Sequence, residues 1–359
     1  MIVAVKLNPE SYKKIKDFVE KGTYGSVESF IEIAIANQIL IETDGHGRFE
    51  ANNESVTESN EEITQKVVQT KHHTGIQQYS QFLACPKEIP LPVLPPLSST
   101  KETESFPLWG QINRLAPAKM VLRILANKIL FQGSDRVDLK RFSADVAETT
   151  TSTRTYIEKR DKTNRIRGEE LYVALPKKDP GSQQRFINFY IGRLPSGKWT
   201  DGILTGLGLA RIELAEDGSV VIGLTEAGRK LACLPSPLID ELMLEEKQIE
   251  NPFSVAEVEF LLDHLEVNKP GEFAYMLSVL RSIKEGARTP TALHRGVESF
   301  LRDKHLVVQI SEKFVNTMQV GIIGRLVEMR LIKIKKDAQK SEYSVTDSGN
   351  ALLAHEVKT

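Results

Sequence analysis

Two stretches of this chain echo each other, and that repetition limits the fold more than any other feature. "GILTGLGLARIELAEDGSVVIGLTEAGRKLA" (202–232) lines up with "GIIGRLVEMRLIKIKKDAQKSEYSVTDSGNALLA" (321–354). Leu224-Thr225-Glu226-Ala227-Gly228 matches Val345-Thr346-Asp347-Ser348-Gly349. Gly202 and Gly228 stand 26 positions apart and Gly321 and Gly349 stand 28 apart, so two extra residues fit into a turn. Each copy reads as helix, strand, turn, strand, helix. Asp217-Gly218 is a strong hairpin signal, and a threonine followed by an acid is the expected start of the closing helix.

What precedes the first copy is helical in pattern. Met120, Val121, Ile124, Leu125 and Ile129 form one apolar stripe. Residues 137–164 predict a helix with Leu139, Phe142 and Val146 inward, a tight polar turn at Thr149 to Thr151, and a second helix over 152–163 anchored by Tyr156 and Ile157. The outer face of that second helix carries Ser152, Arg154, Thr155, Lys159 and Lys162, the hydrogen-bonding and cationic set a DNA-reading helix needs. "EELYVALP" and "QRFINFYIGRLP" predict strands. Between Arg136 and Lys198 there are fourteen Lys and Arg against eight Asp and Glu, a local excess that suits a polyanion although the whole chain carries only −1.

The second copy is preceded by "FSVAEVEFLLDHL", where Ser254 and Glu257 predict a capping box, then by helical runs at "EFAYMLSVLRSI", "TALHRGVESFLRD" and "SEKFVNTMQVGIIGRLVEM", the last capped by Ser311. Lys313, Asn316, Thr317 and Arg325 are expected to face outward, and Lys333, Lys335, Lys336 and Lys340 to make the hairpin positive. Both copies resemble winged-helix domains, in which "L-G-L…L-T-E-A-G" patterns are common. The resemblance implies two such domains, 106–244 with inserted strands and 249–359. It also implies DNA contacts from Ser152, Arg154, Thr155, Lys159 and Lys162 in the first and from Lys313, Asn316, Arg325, Lys335 and Lys336 in the second. Winged-helix domains also serve as protein-interaction modules, so protein partners are the alternative.

At the start of the chain Val3, Val5 and Leu7 alternate with Ala4 and Lys6. Asn8-Pro9 opens a helix with Tyr12, Ile15, Phe18 and Val19 on one face. Ser26 caps a second helix, apolar nearly all round, that requires burial on two sides. "VAVKLNPESYKKIKDFV", "GTYGSVESFI" and "AIANQI" resemble the ribbon-helix-helix family. That resemblance implies a homodimer through residues 1–42 whose antiparallel ribbon enters the DNA major groove and whose second helix start holds a phosphate. It points to Ala4 and Lys6 on the ribbon and to Ser26 and Val27 at the clamp. Of the outward residues Ile2, Ala4 and Lys6, only Lys6 can hydrogen-bond to a base edge.

Residues 43–105 read as a linker, acidic at first and then proline-rich, with extended polyproline character over 86–96. Cys85 and Cys233 form no Cys-x-x-Cys, which argues against a disulfide framework or a zinc site and fits a reducing cytoplasm. No nucleotide, metallopeptidase or nucleophile-elbow motif is present, so catalytic residues, cofactor and metal are all expected to be none. No run is apolar enough to span a membrane. The expected fold class is mainly α with small β elements (α+β), an N-terminal ribbon-helix-helix followed by tandem winged helices. The expected role is a cytoplasmic, prokaryotic, dimeric transcriptional regulator that binds double-stranded DNA. The alternative is a DNA-engaging or scaffolding subunit of a larger defence, partition or mobile-element complex.

Overall fold

The computed structural model describes residues 81–90, 92–95, 106–164, 172–193, 200–241, 251–303, 311–337 and 340–356, together with Tyr12, Lys13, Lys16 and Val27. The chain divides into two units, Met1–Val67 and Val68–Thr359. In the first unit the four described residues are all helical. The expected ribbon, with Ala4, Lys6 and the Ser26 cap, lies outside the described residues, as does the linker over 43–80.

The second unit is mainly helical with small antiparallel sheets. It opens with α1 (Ala116–Gln132), buried on nearly every face and closed by Gly133 in the left-handed region (φ 61°). Strand β1 (Arg136–Asp138) leads into α2 (Leu139–Asn164). After a 3-10 turn at Tyr172–Ala174 come α3 (Pro180–Tyr190), a two-residue hairpin β2 (Gly192–Arg193) and β3 (Thr200–Asp201), and α4 (Ile203–Gly206). The hairpin β4 (Ala210–Leu214) and β5 (Val220–Leu224) and helices α5 (Glu226–Cys233) and α6 (Pro237–Asp240) complete this half. The sheet order is β1-β5-β4, antiparallel throughout, with Val137 opposite Ile222 and Ala210 opposite Leu224.

Two sequence expectations fail here. The turn at Thr149 to Thr151 does not exist, because α2 runs unbroken through it. The hydroxyls of Thr150, Thr153 and Thr155 donate to the carbonyls of Val146, Thr149 and Thr151 at 2.6, 2.8 and 3.1 Å, so this threonine run satisfies its polar groups within the helix. Of the predicted strands "EELYVALP" and "QRFINFYIGRLP", Tyr172–Ala174 form a 3-10 turn and 184–190 belong to a helix. Asp179 accepts from Ser182 N at 2.8 Å and Pro180 occupies the first turn, which starts α3 and buries Phe186, Ile187 and Tyr190 on one side.

The second half runs α7 (Val255–Asn268), α8 (Pro270–Lys284), α9 (Pro290–Asp303), α10 (Glu312–Glu328), the hairpin β6 (Ile332–Asp337) and β7 (Lys340–Val345), and α11 (Asp347–Glu356). The predicted capping box at Ser254 and Glu257 and the Ser311 cap are both formed. Arg288 O accepts from Tyr343 N at 2.7 Å, which brings the link between α8 and α9 to the hairpin edge, the place β1 holds beside β5.

The echo is realised atom for atom. In the first copy Thr225 N donates to Leu209 O, the Thr225 hydroxyl donates to Gly208 O at 2.6 Å, and Gly228 N donates to the Thr225 hydroxyl. In the second copy Thr346 N donates to Leu331 O, the Thr346 hydroxyl donates to Arg330 O at 2.6 Å, and Gly349 N donates to the Thr346 hydroxyl.

Residues 81–90 and 92–95, expected as free linker, are instead a packed strap with Leu83, Ile89 and Leu94 buried. Arg123, fully buried on α1, donates to Leu83 O, while Asn127 donates to Phe82 O and Ala84 O. Leu94 N donates to Leu224 O. The two halves are also joined directly. The segment 107–115 lies on α10 so closely that a Cβ on Gly321 would overlap the backbone of Gly110. Glu328 of α10 accepts from Leu115 N and Ala116 N, serving as the cap that Leu115 cannot provide for α1.

Candidate nucleic-acid interface

Each half presents a helix and a hairpin in corresponding places, and the charged residues on them are the candidate surface. In the second half, β6 and β7 alternate cleanly. Ile332 and Tyr343 are buried and Ile334 and Val345 packed, while Lys333, Lys335, Glu342 and Ser344 face solvent. Lys333 pairs across the hairpin with Ser344 and Lys335 with Glu342. Lys335 is therefore placed as expected, and Lys336 lies in the same strand.

Helix α10 divides the remaining expectations. Lys313 and Asn316 are exposed on its first turns and line a shallow groove of about 570 Å³ with Gln111, Asn113, Thr317 and Val320. Arg325 is not on that surface. It is fully buried, with Nε 2.7 Å from Glu272 Oε1 and Nη2 3.2 Å from Glu272 Oε2, and it donates through Nη1 to Ile112 O. Glu272 in turn accepts from Leu108 N at 2.8 Å. Arg325 therefore holds the connecting segment and is unavailable to a phosphate. The remedy for an unpaired charge lay in a carboxylate 53 residues upstream, beyond any local pattern.

In the first half Arg154, one of the five expected residues, is committed to contacts within the fold. Arg154 donates to Tyr172 O at 2.9 Å and Leu175 O at 2.5 Å and sits over the Tyr172 ring, 5.0 Å from its centroid, so it fastens the 3-10 turn to α2. Ser152 is half-buried, Thr155 and Lys159 are exposed one turn apart, and Lys162 lies in the last turns of α2. Ahead of the β4–β5 hairpin the first half carries α3 and then the single turn α4, where the second half carries α10 alone, and sequence reasoning assigned α3 to a strand. Gln184 and Arg185 are exposed on it and Asn188 is half-buried. Gln183, Gln184 and Asn188 of this helix border a groove of about 830 Å³ with Lys140 and Ser143 of α2, and Arg185 lies outside its lining. Asp179-Pro180, a cap followed by a first-turn proline, was the available signal for this helix. Val27 is helical and half-buried, and Ala4, Lys6 and Ser26 lie outside the described residues.

Behind these surfaces sits a polar core. Lys119 pairs with Glu257 at 3.1 Å and donates to Leu231 O and Leu234 O. Burial lowers its ammonium to about 8 and raises the Glu257 carboxyl. Asp240 is penalised by burial, yet its bonds to the Arg123 guanidinium and Ser236 N hold it below its ordinary range. Burial pushes the Glu328 carboxyl up to about 7 against the opposing pull of Arg114. These groups tie elements of the described residues together. No described helix is long and apolar enough to cross a membrane. No protein-family model, curated protein or solved structure matches this chain.

Proposed function

We propose that this protein binds duplex DNA through two fused winged-helix units carried behind an N-terminal ribbon-helix-helix dimer. The observation that carries the reading is the repeated unit. Twice the chain builds a helix, a short edge segment, a helix, a further helix and a hairpin closed by a threonine-capped helix. In the first unit the edge strand joins a sheet of order β1-β5-β4. A hairpin with solvent-facing Lys333 and Lys335 meets backbone phosphates, and the polar face of α3 is the surface for base edges. The role this serves is transcriptional regulation in the cytoplasm, with residues 1–42 supplying the dimer and no catalytic step.

A second reading has its own observation. Arg325 is buried and residues 107–115 cover part of α10, so the second unit offers less reading surface than the first. A scaffolding subunit that engages DNA without strong sequence preference fits that feature.

Fluorescence anisotropy of the full chain on labelled duplexes tests both. The DNA-binding reading expects log K to fall linearly with log salt, and the K333E/K335E variant to flatten that slope by about 2. A regulator prefers a selected sequence over scrambled duplex by about 4 kcal/mol or more, whereas the scaffolding role gives equal affinities. Affinity insensitive to both salt and K333E/K335E would sink the proposal.

A further inference from the structure

The chain has only two cysteines, 148 positions apart, and the fold brings them to one place. Cys85 Sγ lies 3.5 Å from the Cys233 carbonyl oxygen and 3.8 Å from that of Leu234. Both side chains are half-buried thiols. A single guanidinium sets this juxtaposition. Fully buried Arg123 donates to Leu83 O on the strap at 3.0 Å, and to Ala232 O and Leu234 O on either side of Cys233 at 2.9 and 2.8 Å. Asn127 fixes Ala84 O at 2.9 Å, immediately before Cys85. The backbone next to each cysteine therefore hangs on α1, and the approach of the two residues is built in.

Cys233 is also reachable: it lines an open pocket of about 540 Å³ whose rim balances Lys87, Arg229 and Lys230 against Glu88, Glu259 and Asp263, so a small neutral oxidant can enter. We propose that Cys85 and Cys233 are a reversible thiol–disulfide pair, a redox modification site that locks the strap onto the end of α5. With a hydroperoxide as oxidant, one thiolate attacks the O–O bond. It forms a sulfenic acid, and the leaving hydroxide takes up a proton as water. The second thiolate then displaces the hydroxyl group, forming the S–S bond and releasing a second water. Two thiols and one hydrogen peroxide become one disulfide and two waters, and a thiol reductant reverses the change. The bond would close a long loop and make the strap a covalent part of the first half.

The test uses the full chain, reduced, desalted and exposed to hydrogen peroxide at equimolar concentration. Non-reducing tryptic mapping is expected to link peptide 72–87 to peptide 231–247, lighter by two hydrogen atoms than their sum. Free thiols should fall from two to none per chain, and C85S should leave Cys233 unlinked. Linkage should form at least about tenfold faster in the folded chain than in urea, because disulfide formation requires close, oriented Cβ atoms. Oxidation should raise the melting temperature by about 5–10 °C, reversed by dithiothreitol. Equal rates in urea, sulfinic acid at both positions, or linkage only between molecules would each overturn the assignment.

Discussion

Replacing Arg325 separates the architectural role of this residue from a DNA-binding one. Its guanidinium is fully buried, bidentate with Glu272, and bonded to the Ile112 carbonyl, while Glu272 accepts from Leu108 N. Arg325→Met keeps most of the side-chain volume but leaves Glu272 buried without its counter-charge. The expected loss is about 3–5 kcal/mol in urea unfolding. Glu272→Leu should cost a similar amount, since it strands the guanidinium and the Leu108 amide together. The double variant no longer buries a lone charge. It should therefore cost about 2–3 kcal/mol less than the sum of the two single changes, the remainder being the unpaired Leu108 N and Ile112 O. Because the pair is shielded from solvent, raising the salt concentration should not alter these differences. The DNA salt slope of Arg325→Met, measured well below its unfolding midpoint, should match that of the unchanged protein. Unaltered stability combined with a slope reduced by about one phosphate contact would refute this reasoning and restore Arg325 to the interface.

Two further outcomes follow from the buried polar core and the repeat. Gly228→Ala and Gly349→Ala each place a methyl group against a carbonyl oxygen, that of Leu209 and of Leu331. Each should lower stability by about 2–3 kcal/mol in thermal or urea unfolding, and a loss under 0.5 kcal/mol in either would mean the close approach is absent. Stability should also vary with pH in opposite senses on the two sides of neutrality. Glu328 titrates near 7 when folded and near 4.5 when unfolded, so the folded chain holds its proton longer and stability falls as pH rises between those values. Lys119 titrates near 8 when folded and 10.5 when unfolded, so stability rises with pH across that interval. Each contributes on the order of 3 kcal/mol at most. Glu328→Gln should flatten the acidic limb and leave the alkaline limb intact; an unchanged acidic limb would remove Glu328 as its source.

Local signals in the sequence were read correctly where their chemistry is completed within a few residues. The threonine caps, the Ser254 and Glu257 box and the Asp217-Gly218 turn close their own hydrogen bonds, and all are formed. Two misreadings passed over local signals, and the others arise where a distant partner decides. Phe186, Ile187 and Tyr190 bury equally well from a helix or a strand in so short a run, and the Asp179 cap settles it. The threonines of α2 look like a turn until their hydroxyls find the preceding helical carbonyls. Proline-rich 81–95 reads as linker because its stabilising partners, Arg123 and Asn127, are interior polar groups of α1 that no local pattern announces. For the candidate interface, the lysines of β6 were legible from strand alternation, whereas α3 was hidden by its aromatic content and Arg325 by a buried partner.

At one point of shared left-handed backbone the two copies carry different residues, and that difference can be exchanged. Gly208 follows α4 with φ 66° and Arg330 follows α10 with φ 58°, each passing its carbonyl to the threonine of the next helix cap. Glycine adopts this left-handed conformation freely, whereas a side chain there costs about 1–2 kcal/mol. Arg330→Gly should therefore stabilise the chain by about 1 kcal/mol or less once the extra freedom of glycine in the unfolded state is set against the relief. Gly208→Arg should destabilise it by about 1–2 kcal/mol, and the double exchange should approximate the sum because the sites belong to different turns. Arg330 is exposed, and no ion pair among the described residues includes its guanidinium. If Arg330→Gly instead loses more than about 1 kcal/mol in urea unfolding, the left-handed turn is not the dominant cost. The equivalence of the two copies at this carbonyl would then have to be given up.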